Sequence, residues 1–187
     1  MLRIAVLISG GGSNLLSLIE MQDKDDYQID IVIADRQCKG ISIAKRFGIS
    51  SVIIDKKMHK NDLFNTIDKH LNNIDLVVLA GFLSIVDTNF IKKWKGKIIN
   101  IHPSLLPKYG GKGMYGIHVH EAVIANKEKE SGCTVHYVTE VIDGGDIIMQ
   151  ARVAVKEDDT PETLQKRVLL EEHRILPETV KQLAKTI

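Results

Sequence analysis

Asn100 and His102 stand two residues apart where the apolar run Lys97-Ile-Ile-Asn100-Ile enters a loop held by Pro103 and Pro107. In extended chain, side chains two apart project to the same side, and Pro103 restricts the backbone of His102 to extended forms. An amide and an imidazole aimed at one spot could together stabilise a developing oxyanion. A lone Asn-x-His is more often a turn cap beside a satisfied loop histidine, so the pair needs a third member. Asp143, in the loop Ile142-Asp143-Gly144-Gly145-Asp146, is the candidate. A carboxylate beside His102 would favour the imidazolium and fix its orientation.

Ser9-Gly10-Gly11-Gly12-Ser13-Asn14 forms a second candidate site. Glycines let the backbone turn tightly and expose its N–H groups, and a helix N-terminus beside them favours an anion. Leu15 stands where a dinucleotide fingerprint needs its third glycine, and no Lys-Ser/Thr follows as in a Walker A loop. A monophosphate or other small anion therefore fits best, against the plainer reading of a turn that merely requires glycine. Asp35 could hold a ribose in a nicotinamide enzyme, but such a residue more often caps the next helix or faces solvent.

The elements that must position these residues alternate. Arg3–Ile8, Ile29–Ala34, Val52–Ile54, Ile74–Ala80 and Lys97–Ile101 read as strands. Helical patterns over Asn14–Met21, Gly40–Phe47 and Asp62–Leu71 fall between them. This βαβα order predicts an α/β fold: a Rossmann-like, open, mostly parallel sheet with helices on both faces. A helix over His118–Asn126 and additional C-terminal strands follow. Cys133–Thr139 and Ile147–Val155 alternate as strands with one face toward the core and one toward solvent. The last helix starts at Pro161 with Thr160 as its N-cap and runs to His173, with a bend or break before Pro177.

Composition excludes several classes. Charged residues make up 26% and hydrophobic residues 44%, and the 25 Lys+Arg nearly cancel the 24 Asp+Glu. That balance gives no basic excess for nucleic acid, and Lys92, Lys93, Lys95 and Lys97 read as a solvated helix end. Cys38 and Cys133 lack metal-ligand spacing, so neither a metal site nor a disulfide scaffold is expected, and a reducing, cytoplasmic setting fits. The apolar start runs directly into the glycine loop rather than into a cleavage site. No apolar run is long enough to span a membrane. One domain over residues 1–187 is expected.

Ile8-Ser9-Gly-Gly-Gly-Ser-Asn14, Leu79-Ala-Gly-Phe82, Asn100-Ile-His-Pro-Ser-Leu-Leu-Pro107 and Asp143-Gly-Gly145 together resemble the phosphoribosylglycinamide formyltransferase family in order and spacing over nearly the whole chain. The segment from Asn100 to Pro107 is shared with related formyl-folate enzymes. The resemblance implies transfer of a formyl group from 10-formyltetrahydrofolate, a co-substrate, to the amine of 5'-phosphoribosylglycinamide in purine synthesis. It implies catalytic roles for Asn100, His102 and Asp143. Gly12, Ser13 and Asn14 match the loop that holds the substrate phosphate, and Glu172 matches a glutamate near the glycinamide end. Leu83, Ser84, Ile85 and Val86, with Asn100, match one side of the folate site. Thr139, Glu140, Val141 and Ile142 match the other side. The amine is itself the nucleophile, so no enzyme Ser or Cys is required.

The sequence departs from the family in three places. Ser84 stands where an arginine is common, and Gly110–Ile117 is longer than the shortest family version. The chain also ends at Ile187 without the tail that some members carry. A methionyl-tRNA formyltransferase would be expected to add an RNA-binding domain, and a formyltetrahydrofolate hydrolase an N-terminal regulatory one. The expected partners are small molecules, with no nucleic acid or membrane, for a monomer or homodimer.

Overall fold

The structure, a computed structural model, describes residues 1–186. Its central strand β1 (Leu2–Ile8) is apolar at nearly every position and feeds two layers at once. Ile4, Val6 and Ile8 enter one core, and Ala5 and Leu7 enter the other. A strand buried on both faces belongs inside a parallel sheet covered by helices. The seven strands are ordered β3-β2-β1-β4-β5-β6-β7. Here β2 is Tyr27–Ala34, β3 Ser50–Ile53, β4 Leu76–Leu79, β5 Ile98–His102, β6 Glu130–Tyr137 and β7 Ile147–Ala154. The first five strands pair in parallel, whereas β6 and β7 join antiparallel. The expected open, Rossmann-like α/β sheet with added C-terminal strands is the observed one.

Helices α1 (Ser13–Glu20), α2 (Lys39–Arg46), α6 (Ile117–Ala125) and α7 (Pro161–Ala184) supply one layer through Leu15, Leu18, Ile41, Val123, Leu164 and Val168. On the opposite face, α4 (Leu63–Asp68) and α5 (Thr88–Lys93) bring Phe64, Ile67 and Phe90, with Trp94 just beyond α5. A short helix, α3 (Lys56–His59), precedes α4. Among the described residues, no helix is long and apolar enough to cross a membrane.

Three local expectations are corrected. The helix expected over Asp62–Leu71 is shorter: a 3-10 turn at Lys60–Asp62 leads into α4, which ends at Asp68. The strand expected from Cys133 begins at Glu130, and both of its faces are buried, including Thr134 and His136. The last helix does not stop before Pro177. It starts as expected, with Thr160 capping Thr163 and Pro161 in the first turn, but continues unbroken to Ala184. A proline in a helix interior costs about 3 kcal/mol. Ile175, Leu176, Val180 and Leu183 bury against the core around it, and each such side chain contributes about 1.5–3 kcal/mol.

Candidate active site

The parallel strands end together, and their C-terminal ends carry the polar residues, as open α/β sheets arrange their ligand sites. On β5, Asn100 lies opposite His136 of β6, and His102 lies opposite Thr134. Opposed residues of an antiparallel pair share a face, so these four side chains stand on one side of the sheet. Asn100 Nδ2 is 3.1 Å from His136 Nε2. His136 Nδ1 donates to the Tyr137 carbonyl at 2.9 Å, so Nε2 of the neutral ring accepts from the Asn100 amide. Burial pushes His136 below the usual imidazole range, and the Tyr137 carbonyl only partly opposes it. One N–H of Asn100 is thereby fixed, and the other remains for a ligand.

His102 is held from two directions. Its Nε2 donates to the Tyr109 carbonyl at 2.8 Å. Its Nδ1 faces Asp143 Oδ2 at 3.6 Å, while Asp143 Oδ1 lies 3.7 Å from His136 Nε2. These separations exceed hydrogen-bonding distance and describe electrostatic contact. Asp143 takes the left-handed conformation, with φ 53°. Its carboxylate accepts from the Gly111 N–H at 2.9 Å. A Cβ on Gly110 would lie 3.2 Å from Asp143 Cβ and 2.6 Å from Leu106 Cδ2, so glycine permits this approach.

The glycine loop links β1 to α1, with Gly12 in the left-handed region at φ 80°. Gly12 also packs on α2: a Cβ there would meet Gly40 Cα at 2.6 Å. Gly10 and Gly11 have open space around them, and Ser13 is exposed. Asn14 differs from its expected role as a side-chain donor to an anion. Its side chain turns inward, and Nδ2 donates to Glu172 Oε2 on α7 at 2.7 Å, both residues being buried. Burial pushes the Glu172 carboxyl upward, against the smaller effect of that hydrogen bond.

The two segments expected beside a folate expose apolar side chains. Leu83 and Ile85 stand out on one, and Val141 and Ile142 on the other. Thr139 hydroxyl donates to the Val141 carbonyl at 3.2 Å, and Glu140 approaches Lys92. Val86 packs against the second core. The Leu83 N–H donates to Ser9 Oγ at 2.8 Å, tying this segment to the glycine loop. Ser84 donates to Asp35, which is fully buried and paired with Arg36. Asp35 thus neither caps a helix nor faces solvent. A cavity of about 540 Å³ opens beside Ser84 and Ile85, lined also by Lys56, Lys60 and Phe64. Asn100, His102 and Asp143 do not line this cavity.

Residues 2–180 match the formyl transferase family. The chain belongs to that family. It is 43% identical over 189 residues to the human trifunctional purine biosynthetic protein adenosine-3, covering 97% of this chain and 18% of that protein. It is 40% identical to the chloroplastic phosphoribosylglycinamide formyltransferase of Vigna unguiculata, over 97% of this chain and 60% of that one. The chain thus spans only part of these relatives. The solved phosphoribosylglycinamide formyltransferase of Anaplasma phagocytophilum superposes with a TM-score of 0.90 at 40% identity, covering 99% of this chain and 88% of that chain. Glycinamide ribonucleotide transformylase 1 of Symbiobacterium toebii gives 0.92 at 36% identity, with coverage of 100% and 89%.

In this member of the formyl transferase family the structure adds His136 to the polar residues singled out by sequence. It sits on the face of β6 opposite Cys133, Val135 and Tyr137, where alternation alone suggests solvent. The usable signal is its pairing with Asn100, which appears only once β6 is placed beside β5. Neither cysteine joins the site. Cys133 is buried, and burial pushes its thiol up to about 12. It stays protonated at neutral pH and is a poor nucleophile.

Proposed function

We propose that the chain transfers the formyl group of 10-formyltetrahydrofolate, as co-substrate, to the amine of 5'-phosphoribosylglycinamide in de novo purine synthesis. The reading rests chiefly on one observation: Asn100, His102, His136 and Asp143 converge from β5, β6 and the loop before β7, with no enzyme nucleophile among them. Such a group suits direct attack by the substrate's amine on the formyl carbon. As that carbon becomes tetrahedral, its oxygen gains charge. The free N–H of Asn100 and His102 Nδ1, when it carries a proton, stabilise it, with Asp143 facing that nitrogen. Collapse breaks the bond to the folate nitrogen, which receives the proton lost by the amine through water beside Asp143.

The substrate phosphate sits on Gly12, Ser13 and the backbone N–H groups at the start of α1, with Glu172 beneath the loop through Asn14. Leu83, Ser84, Ile85 and Val86 flank the folate on one side, and Thr139, Glu140, Val141 and Ile142 on the other. Residues 1–187 act as one formyltransferase unit on small molecules in a reducing, cytoplasmic setting.

Single replacements Asn100→Ala and His102→Ala test the site in a formyl-transfer assay. Each is expected to lower kcat by about a hundred- to a thousandfold, with much smaller changes in ligand binding. The double variant should lose less than the product of the single losses, because groups that act as a unit are not additive. Losses confined to KM would contradict the assignment.

A further inference from the structure

We infer that Tyr109 is a positioning residue, whose backbone carbonyl sets the tautomer and orientation of His102. The inference builds on the catalytic reading of His102 above, but its structural part stands without it. A carbonyl oxygen only accepts, so the 2.8 Å contact from His102 Nε2 requires the proton to be on that nitrogen. The bare nitrogen of the neutral ring is then Nδ1, the one that faces Asp143. A histidine with the opposite tautomer would present Nε2 to Tyr109 as a second acceptor and lose the contact.

The carbonyl is held in place by unusual means. Tyr109 is a non-glycine residue with φ 54°, a conformation that costs energy unless its surroundings impose it. The Tyr109 side chain packs against the first core, and a cavity of about 290 Å³ lies beside it, lined also by Lys108, Glu128 and Ser131. Hydrogen bonds add to that packing. The Tyr109 hydroxyl donates to Glu128 Oε1 at 3.0 Å. Lys108 Nζ donates to both Glu128 oxygens at 3.0 and 3.3 Å. Ser104 Oγ donates to the Lys108 carbonyl at 2.6 Å. Burial and the Glu128 carboxylate raise the Tyr109 phenol, which therefore stays protonated as a donor. Tyr109 and Asp143 are two of five non-glycine residues with positive φ among those described, and they approach His102 at its two nitrogens.

The charged and titratable groups around this unit are Asp143, His136 and His120 on the His102 side, and Glu128 and Lys108 on the Tyr109 side. Tyr109→Phe removes the anchor with little change in volume, and Glu128→Ala removes its acceptor from the other end. Glu128→Gln keeps an oxygen for the hydroxyl and serves as the conservative control.

The ring nitrogens of His102 are followed by 15N NMR in the ligand-free protein, and kcat and KM are measured in parallel. The native signature of the neutral ring is expected to be protonated Nε2 with bare Nδ1. Tyr109→Phe and Glu128→Ala should mix the tautomers and lower kcat by about ten- to a hundredfold, with KM nearly unchanged. Glu128→Gln should keep most of both properties. A native Nδ1–H tautomer overturns the inference, as does an unchanged tautomer in both disruptive variants. Mixed tautomers with full kcat would leave the positioning in place and instead remove His102 from the catalytic reading.

Discussion

Asp143 reaches His102 without a hydrogen bond, at 3.6 Å from Nδ1, so its effect on the imidazole is a field effect and is separable from geometry. Asp143→Asn keeps an oxygen for the Gly111 N–H but removes the charge. The charge that faces the ring is then lost, and kcat should fall by about a hundredfold with KM nearly unchanged. Steady-state kinetics check this, and an unchanged kcat would contradict the coupling. Gly12 behaves differently. Because a Cβ there would press on Gly40 at 2.6 Å, Gly12→Val reports on the contact between α1 and α2, not only on anion approach. It should lower stability by about 1–3 kcal/mol, as overpacking does, seen as a lower denaturation midpoint. Exposed Ser13 is the cleaner probe: Ser13→Ala should raise KM for the phosphorylated acceptor and leave kcat unchanged. At this scale the types and spacing of Asn100, His102 and Asp143 were legible from the chain. The inward turn of Asn14 was not, because Glu172 lies 158 residues away and only the packing of α7 on α1 brings the two together.

Elements were legible where burial on both faces leaves a continuous apolar run, as in β1 and β4. They were misjudged where tertiary cover overrides a local signal. Pro177 reads as a stop, yet the apolar residues on either side of it keep α7 continuous. Thr134 and His136 read as a solvent face, yet β5 and the loop after it cover them. The start of α7 shows how one element is fixed. Asp159 accepts from Arg167 through both oxygens at 2.7 and 2.9 Å, and from Lys156 N and Thr163 Oγ1. Arg167 foremost holds the Asp159 carboxyl well below the usual carboxylate range. A carboxyl lowered in the folded state stabilises above its unfolded value and loses that contribution as pH falls toward the folded one. Asp159→Asn should therefore cost about 2 kcal/mol at neutral pH, the scale of a charged hydrogen bond. The difference from native should shrink in urea titrations repeated near pH 3. A difference independent of pH would contradict the assignment.

At the scale of the molecule, the sheet brings three distant stretches to one edge: the glycine loop after β1, the Leu83–Val86 segment after β4, and the end of β5. Ser9 joins the first two directly through Leu83. On the proposed mechanism, chemistry at that edge needs no enzyme thiol. A folded variant with both Cys38 and Cys133 replaced by Ala should keep kcat within about twofold, since a covalent route would require an activated nucleophile. Loss of activity with the fold intact would restore a covalent route. The acceptor is the most direct test of the whole account. The protein is supplied with 10-formyltetrahydrofolate and, in separate reactions, with glycinamide ribonucleotide, with initiator methionyl-tRNA, or with water alone. The account requires tetrahydrofolate and formylated glycinamide ribonucleotide to appear in equal amounts in the first reaction, with little turnover in the others. Folate turnover that is indifferent to glycinamide ribonucleotide, or faster with the tRNA, would contradict it.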